Sequence, residues 1–205
     1  MTPTSSSGEK EQALRASARA LFSQKGFKDT TISDITDRAG MAVGTFYLYF
    51  NSKDQLFMNI FLEENTRLKK RIMESINPQG RPMQVMQEMM GMNQQGMRDN
   101  PILRHWYDRE LFEKIEKKYR QEQGLDQLNF LYSNFTNLIE GWQAAGKMRS
   151  DMDSGMIMAL FTAIILLDLH KGEIGPEYFP EIQWHLATFV MEGLMEGCPS
   201  DPGAE

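Results

Sequence analysis

Residues 31–50 read TISDITDRAGMAVGTFYLYF. The first half has the marks of a short helix. Thr31 is a good N-cap, and Asp34 three residues on makes a weak form of the capping box. Ile32, Ile35 and Ala39 recur at helical spacing. Gly40 stands where a left-handed residue would end the helix, since it has no Cβ to clash there. After a very short turn the helical period resumes with Val43, Phe46 and Phe50. Two short helices joined by a tight glycine turn form a candidate helix-turn-helix. Away from Phe46 and Phe50, the second helix, expected over 43–50, offers Gly44, Thr45, Tyr47 and Tyr49, and Lys53 follows it. Small and hydroxylated side chains can approach base edges, while tyrosine hydroxyls and a lysine can hold phosphates. An αα-hairpin in a helical core is the plainer reading. It leaves two tyrosines and a threonine on the outer face without a reason.

Working outward, Glu9–Lys25 reads as a helix with an apolar stripe of Leu14, Ala18, Leu21 and Phe22, stopped by Gly26. Phe27 is expected to pack back onto it. Asn51 or Ser52 caps a further helix, with Gln55 completing a Ser-x-x-Gln box. That helix runs to about Ile76, lined by Leu56, Phe57, Ile60, Phe61 and Leu68. Lys69-Lys70-Arg71 could touch DNA, but reads better as a solvated face near the C-terminus, where cations suit the helix dipole. Asn77-Pro78-Gln79-Gly80 then breaks the helix.

With these residues in view the stretch resembles the DNA-binding signature of the TetR family of transcriptional regulators. The agreement lies in Ala39-Gly40-Met41, Thr45-Phe46-Tyr47, Tyr49-Phe50 and Ser52-Lys53. It extends back through Ala18, Leu21-Phe22, Gly26-Phe27 and Thr30-Thr31, and covers about the first quarter of the chain without a departure from the family pattern. The resemblance implies an all-α fold of about nine helices. It implies a helix-turn-helix head over 9–56, with the motif at 31–50, and a ligand-binding and dimerisation body over 57–197, with tails at 1–8 and 198–205. It also implies a homodimer, a small-molecule pocket in each body, and a repressor released from a quasi-palindromic operator when the ligand moves the fourth helix. The DNA-binding residues expected on this basis are Thr30, Thr31, Val43, Gly44, Thr45, Tyr47, Leu48, Tyr49 and Lys53. Gly44 and Thr45 would lie nearest the bases, with Thr31, Tyr47, Tyr49 and Lys53 on phosphates.

Charge is distributed consistently with that division. The chain has a net charge of −6, but residues 1–56 hold seven Lys/Arg and six Asp/Glu, so the head is +1 and the remainder −7. A few placed cations suffice to hold phosphates, with a modest dependence on salt. The lone cysteine, Cys198, excludes an intrachain disulfide. It suits a reducing compartment. The N-terminus lacks a basic region followed by an apolar one, and Met156–Leu169 is too short to span a bilayer. A cytoplasmic protein with no membrane partner is expected.

Beyond the break, 81–98 is rich in methionine, a flexible residue that lines adaptable apolar surfaces and equally often fills ordinary cores. Gly91 and Gly96 weaken this helix and allow bending. Asn100-Pro101 opens a segment to about Gln123 that contains Arg104-His105-Trp106-Tyr107 and Glu110. A helix over 125–146 carries one apolar face, with Phe130 and Asn134 off it. The expected effector site draws on Met86, Met89 and Met90, on His105, Trp106, Tyr107 and Glu110, and on Phe130, Asn134 and Asp168. It is expected to hold an apolar, aromatic or cationic compound. Asp168, near a helix C-terminus that disfavours a carboxylate, is either solvated or neutralised by Lys171, or else a counter-charge for a ligand or a partner subunit. The segment 153–170 leaves almost no polar face and should be buried all round. With the stripe over 181–197 it predicts a dimer interface of Phe161, Ile164, Leu186, Phe189, Val190 and Leu194. His105, His170 and His185 are far apart, with no zinc spacing, phosphate-binding glycine loop or nucleophile elbow. No cofactor, metal or catalytic residue is expected. A regulator controlled by a protein partner is the second reading, and a helical enzyme the third.

Overall fold

The computed structural model describes residues 4–108, 111 and 129–196. Among them are nine α-helices and no strand, as the sequence predicts. They are α1 Thr4–Lys25, α2 Ile32–Arg38, α3 Val43–Phe46, α4 Lys53–Ser75, α5 Pro82–Asp99, α6 Asn129–Ala144, α7 Ser154–Leu166, α8 Lys171–Ile174 and α9 Glu181–Met195. Three 3-10 helices join them: Leu103–Tyr107, Leu167–His170 and Pro176–Tyr178. No helix among the described residues is long and apolar enough to cross a membrane. The chain divides into two compact units, each built from two stretches. The described residues of Met1–Leu68 and Gln95–Leu125 form the first, and those of Lys69–Gln94 and Asp126–Glu205 the second. The division therefore falls within α4 and α5, further along α4 than the expected head boundary.

The first unit is built on aromatic packing. Leu14, Ala18 and Phe22 of α1, Ile35 of α2, Phe46 of α3 and Leu56, Phe57 and Ile60 of α4 are fully buried. Phe22 and Phe27 both meet Phe57, at 5.2 and 4.9 Å between ring centroids, edge to face. Burying such a side chain contributes roughly 2–3 kcal/mol, so this cluster dominates the stability of a small domain. Around it runs a charge network joining α1 to α4. Arg15 bonds Glu11 and Glu63 at 2.8 Å, and Arg19 reaches Glu63 at 2.5 Å and Glu64 at 3.0 Å. Two expectations are revised. Helix α1 begins at Thr4, because Ser5–Gly8 contains no breaker strong enough to stop it. Helix α3 is only four residues long, and the expected continuation to Phe50 is a series of turns.

The second unit is pinned by backbone contacts. Trp142 Nε1 donates to Pro78 O at 3.1 Å and Lys147 Nζ to Gln79 O at 2.6 Å, fixing the break after α4. Asp153 caps α7, accepting from Met156 N at 3.0 Å. Helix α7 packs on α9, where Gln183 Nε2 donates to Ile164 O at 3.1 Å. The expectation that 153–170 is buried all round fails within one chain: the α-helix stops at Leu166, and Met156, Ile165 and Leu166 are exposed. Along α5, Gly96 of the first unit serves close packing, since a Cβ there would collide with Leu68, whereas Gly91 of the second faces open space.

Candidate nucleic-acid interface

Local chemistry sets the angle between α2 and α3. Thr31 Oγ1 accepts from Asp34 N at 3.1 Å, and Asp34 Oδ2 accepts from Thr31 N at 2.7 Å, closing the capping box. Lys25 also donates to Asp34 Oδ2, at 2.8 Å. The Lys25 bond, and then the Thr31 bonds, hold the Asp34 carboxyl far below its ordinary range. At the other end Gly40 has φ of +67°, its N–H bonds Asp37 O at 3.1 Å, and Met41 N–H bonds Thr36 O at 2.9 Å. This pair of bonds is the Schellman motif, which needs a left-handed residue at the glycine. Helix α3 is then anchored from beneath, with Phe46 and Phe50 at 0% and 2% exposure.

What faces outward is apolar or hydroxylated. Leu48 is 78% exposed, Tyr47 56% and Val43 42%. Gly44 is exposed and a Cβ there would meet open space, while Thr45 and Tyr49 are half-buried. Tyr47 is braced edge-on against Phe46 at 5.4 Å. Val43, which shares the period of Phe46 and Phe50, lies outside the core at the first position of the helix. The structure thus brings Val43, Gly44, Thr45, Tyr47, Leu48 and Tyr49 together on one short segment of four helical residues and the turns after it.

Three expected DNA contacts are used otherwise. Thr30 is fully buried and its hydroxyl bonds Gly26 O at 2.7 Å, so its side chain cannot reach DNA. Thr31 commits both its N–H and its hydroxyl to Asp34. Lys53 Nζ donates to Phe27 O and Thr30 O, at 2.8 and 2.7 Å, and sits 4.2 Å from the centre of the Phe27 ring. Burial lowers its pKa. This lysine ties the loop before α2 to the start of α4, with two of its three donors already satisfied. Sequence reasoning overlooked Arg38 in the last turn of α2. It is exposed and joins no ion pair among the described residues. An exposed basic residue inside the motif was the available clue.

The expected effector residues separate. Met86 and Met89, buried, and Met90, half-buried, belong to the second unit. His105, Trp106 and Tyr107 belong to the first. There His105 packs edge-on to Phe57 at 5.4 Å and Trp106 stacks on Phe61 at 6.4 Å, with Lys28 paired to Asp108 at 3.3 Å. His105 and Trp106 are half-buried, each with its ring against a phenylalanine of α4. Tyr107 is 45% exposed. His105 Nε2 is buried with no hydrogen-bond partner among the described residues, and burial lowers the ring's pKa. Glu110 and the side chains of Phe130, Asn134 and Asp168 lie outside what the structure describes.

Of the expected interface, Phe189 is 63% exposed, while Phe161, Leu186 and Val190 are half-buried. Ile164 and Leu194 are corrected: at 8% and 2% exposure they are core residues of their own chain. Met156, Ile165, Leu166 and Trp184 are exposed apolar residues of these two helices that the expected interface left out.

Comparison with known proteins agrees with this geometry. Residues 14–60 match the model of the bacterial regulatory proteins of the tetR family. The chain is 50% identical over 54 residues to the uncharacterised HTH-type transcriptional regulator YvdT of Bacillus subtilis, covering 26% of this chain and 27% of that one. It is 33% identical over 102 residues to the HTH-type transcriptional repressor KstR of Rhodococcus jostii, covering 48% and 47%. These matches span about a quarter to a half of the relatives' lengths. The crystal structure of the regulator FadR from Bacillus subtilis in complex with stearoyl-CoA superposes with a TM-score of 0.56 at 17% identity, over 92% of this chain and 99% of that one. A helix-turn-helix motif in an all-α chain is what the fold and the motif define. Over residues 14–60 the chain matches the TetR family of transcriptional regulators.

Proposed function

We propose that this chain is a sequence-specific DNA-binding repressor that acts in the cytoplasm as a homodimer and is released from a quasi-palindromic operator by a small molecule. The observation that carries the reading is the outward face of α3 and its following turns. Leu48 at 78% exposure and Tyr47 at 56% stand beside a glycine with open space above it, on a segment locked from below by Phe46 and Phe50. Exposed apolar side chains on a rigid element suit contact with thymine methyl groups and sugar edges in the major groove. Gly44 and Thr45 let the backbone come close to the bases, Val43 and Leu48 supply apolar contact, and Tyr47, Tyr49 and Arg38 hold phosphates. Lys53 acts mainly by fixing the loop before α2, with one donor left for a phosphate.

Dimerisation is supported by the exposed Ile165, Leu166, Trp184 and Phe189, which a second copy would cover. A small-molecule effector is supported by the methionine-rich α5. It is supported too by similar proteins: KstR is a repressor, and the regulator FadR was crystallised with stearoyl-CoA. The test is selection of bound fragments from random or genomic DNA by the purified protein. One enriched sequence with two inverted half-sites is expected. Recovery of unenriched DNA, or of no DNA, would overturn the reading.

A further inference from the structure

From Ala39 to Phe50 no side chain is charged and none carries an amide. The stretch therefore lacks the side chains that pair with the hydrogen-bonding edges of bases: arginine and lysine for guanine, asparagine and glutamine for adenine, aspartate and glutamate for cytosine. Of the residues that follow, Lys53 donates to two carbonyls of its own chain. Gln55 is 8% exposed, and its Oε1 accepts from Asn51 N at 2.8 Å. Arg38 and Asn51, both exposed, flank the stretch on either side. Within it the hydroxyls are those of Thr45, Tyr47 and Tyr49, and Tyr49 Oη lies 3.4 Å from Ser7 Oγ of α1.

What the stretch presents instead is apolar. Val43, Tyr47 and Leu48 are three of the four large apolar residues exposed among the described residues of the first unit, the fourth being Tyr107. A single exposed apolar residue is ordinary, but three within six positions form a patch. Gly44, one turn before Leu48, has no side chain to cover it. The backbone beneath is fixed. Thr45 N–H bonds Ala42 O at 2.9 Å, Leu48 N–H bonds Thr45 O at 3.2 Å, and the Tyr49 and Phe50 N–H groups both bond Phe46 O at 3.0 Å. Leu48 is thus held out to solvent on an ordered turn. The apolar group that a base edge offers in the major groove is the C5-methyl of thymine.

We infer that this protein selects its DNA by thymine methyl groups more than by hydrogen-bonding base edges, and that Leu48 is the main specificity-determining residue, with Val43 contributing. This rests on the DNA-binding reading above and deepens it. The half-sites carry thymines at the positions that residues 43–48 meet. The same surface accepts 5-methylcytosine there, because its methyl stands at the same place in the groove.

The test is fluorescence anisotropy with the full-length protein and the selected duplex at one salt concentration. Each thymine in turn is replaced by uracil, which keeps every hydrogen-bonding group and loses only the methyl. Each thymine–adenine pair is also replaced by cytosine–guanine and by 5-methylcytosine–guanine. At one or more positions uracil should weaken binding about threefold or more, the size expected for losing one buried methyl. At those positions 5-methylcytosine should bind more tightly than cytosine by a similar factor. Uracil in the shuffled duplex should change nothing. Leu48→Ala, at an exposed position, should keep its Tm and lose the thymine–uracil difference, whereas Leu48→Met, of similar volume, should retain it. The inference is overturned if uracil equals thymine at every position, if 5-methylcytosine binds no better than cytosine where uracil weakens binding, or if the thymine–uracil difference survives Leu48→Ala combined with Val43→Ala. In each of these cases the selected duplex still binds far more tightly than the shuffled one, so the DNA-binding reading stands and the methyl readout falls. If the two duplexes bind alike, both fall.

Discussion

At the scale of single residues, Gly44 separates folding from recognition. It lies in a helix, at ordinary φ, with open space where a Cβ would go. Gly44→Ala should therefore leave stability unchanged or raise it by about 0.5–1 kcal/mol. The same methyl would stand between the backbone and the bases, so operator affinity should fall at least about tenfold, or 1.4 kcal/mol. Paired denaturation and titration experiments would show whether the two effects part. Asp34 makes the opposite case, a residue that serves the fold. Its carboxyl is held below its ordinary range by Lys25 and Thr31, so its contribution is full above that range and is lost as pH falls through the depressed value. The gap in urea midpoint between the native protein and Asp34→Ala should be constant above about pH 5 and shrink below about pH 4. The capping box and the glycine turn were legible because both are local, set by residues three or four apart. The fates of Thr30, Lys53 and Lys69 were not. Lys53 and Lys69 are decided by partners on distant parts of the chain, the Phe27 carbonyl and Asn93, and Thr30 by a burial that its local hydroxyl bond to Gly26 does not announce.

Among the helices, α7 and α9 show how far periodicity reaches. Reading 153–170 as apolar all round was right about composition and silent on which side faces its own chain. Ile164 packs inward and Ile165, one residue on, is 57% exposed. The two positions give a direct contrast. Ile165→Asp should leave the protomer folded and shift sedimentation at micromolar concentration from dimer to monomer. Ile164→Asp should instead lower Tm, because it buries a charge without a partner. A dimer indifferent to Ile165→Asp would place the interface elsewhere. The segment 103–107 was read as pocket lining because its aromatic and polar residues cluster. What the clustering does not show is the partner of each ring: Trp106 stacks on Phe61 and His105 meets Phe57 edge-on.

For the whole molecule, the account joins two binding events, and thermodynamics constrains them. An effector releases the operator only by binding the free state more tightly, typically by roughly 1–3 kcal/mol, about 5- to 150-fold. Operator DNA must then weaken the effector by the same factor. Calorimetric affinities for any compound that releases DNA, with and without the operator duplex, should differ by the amount seen in the reverse titration. A compound with equal affinities would not be the inducer. Everything here depends on the first event, recognition of a defined sequence by the surface around Leu48. The most direct measurement is the affinity of the full-length protein for the selected duplex and for a shuffled duplex of equal length and composition, at one fixed salt concentration. The selected duplex should bind about a thousandfold or more tightly, and Gly44→Ala should remove most of that ratio. Equal affinity for the two duplexes would contradict the account.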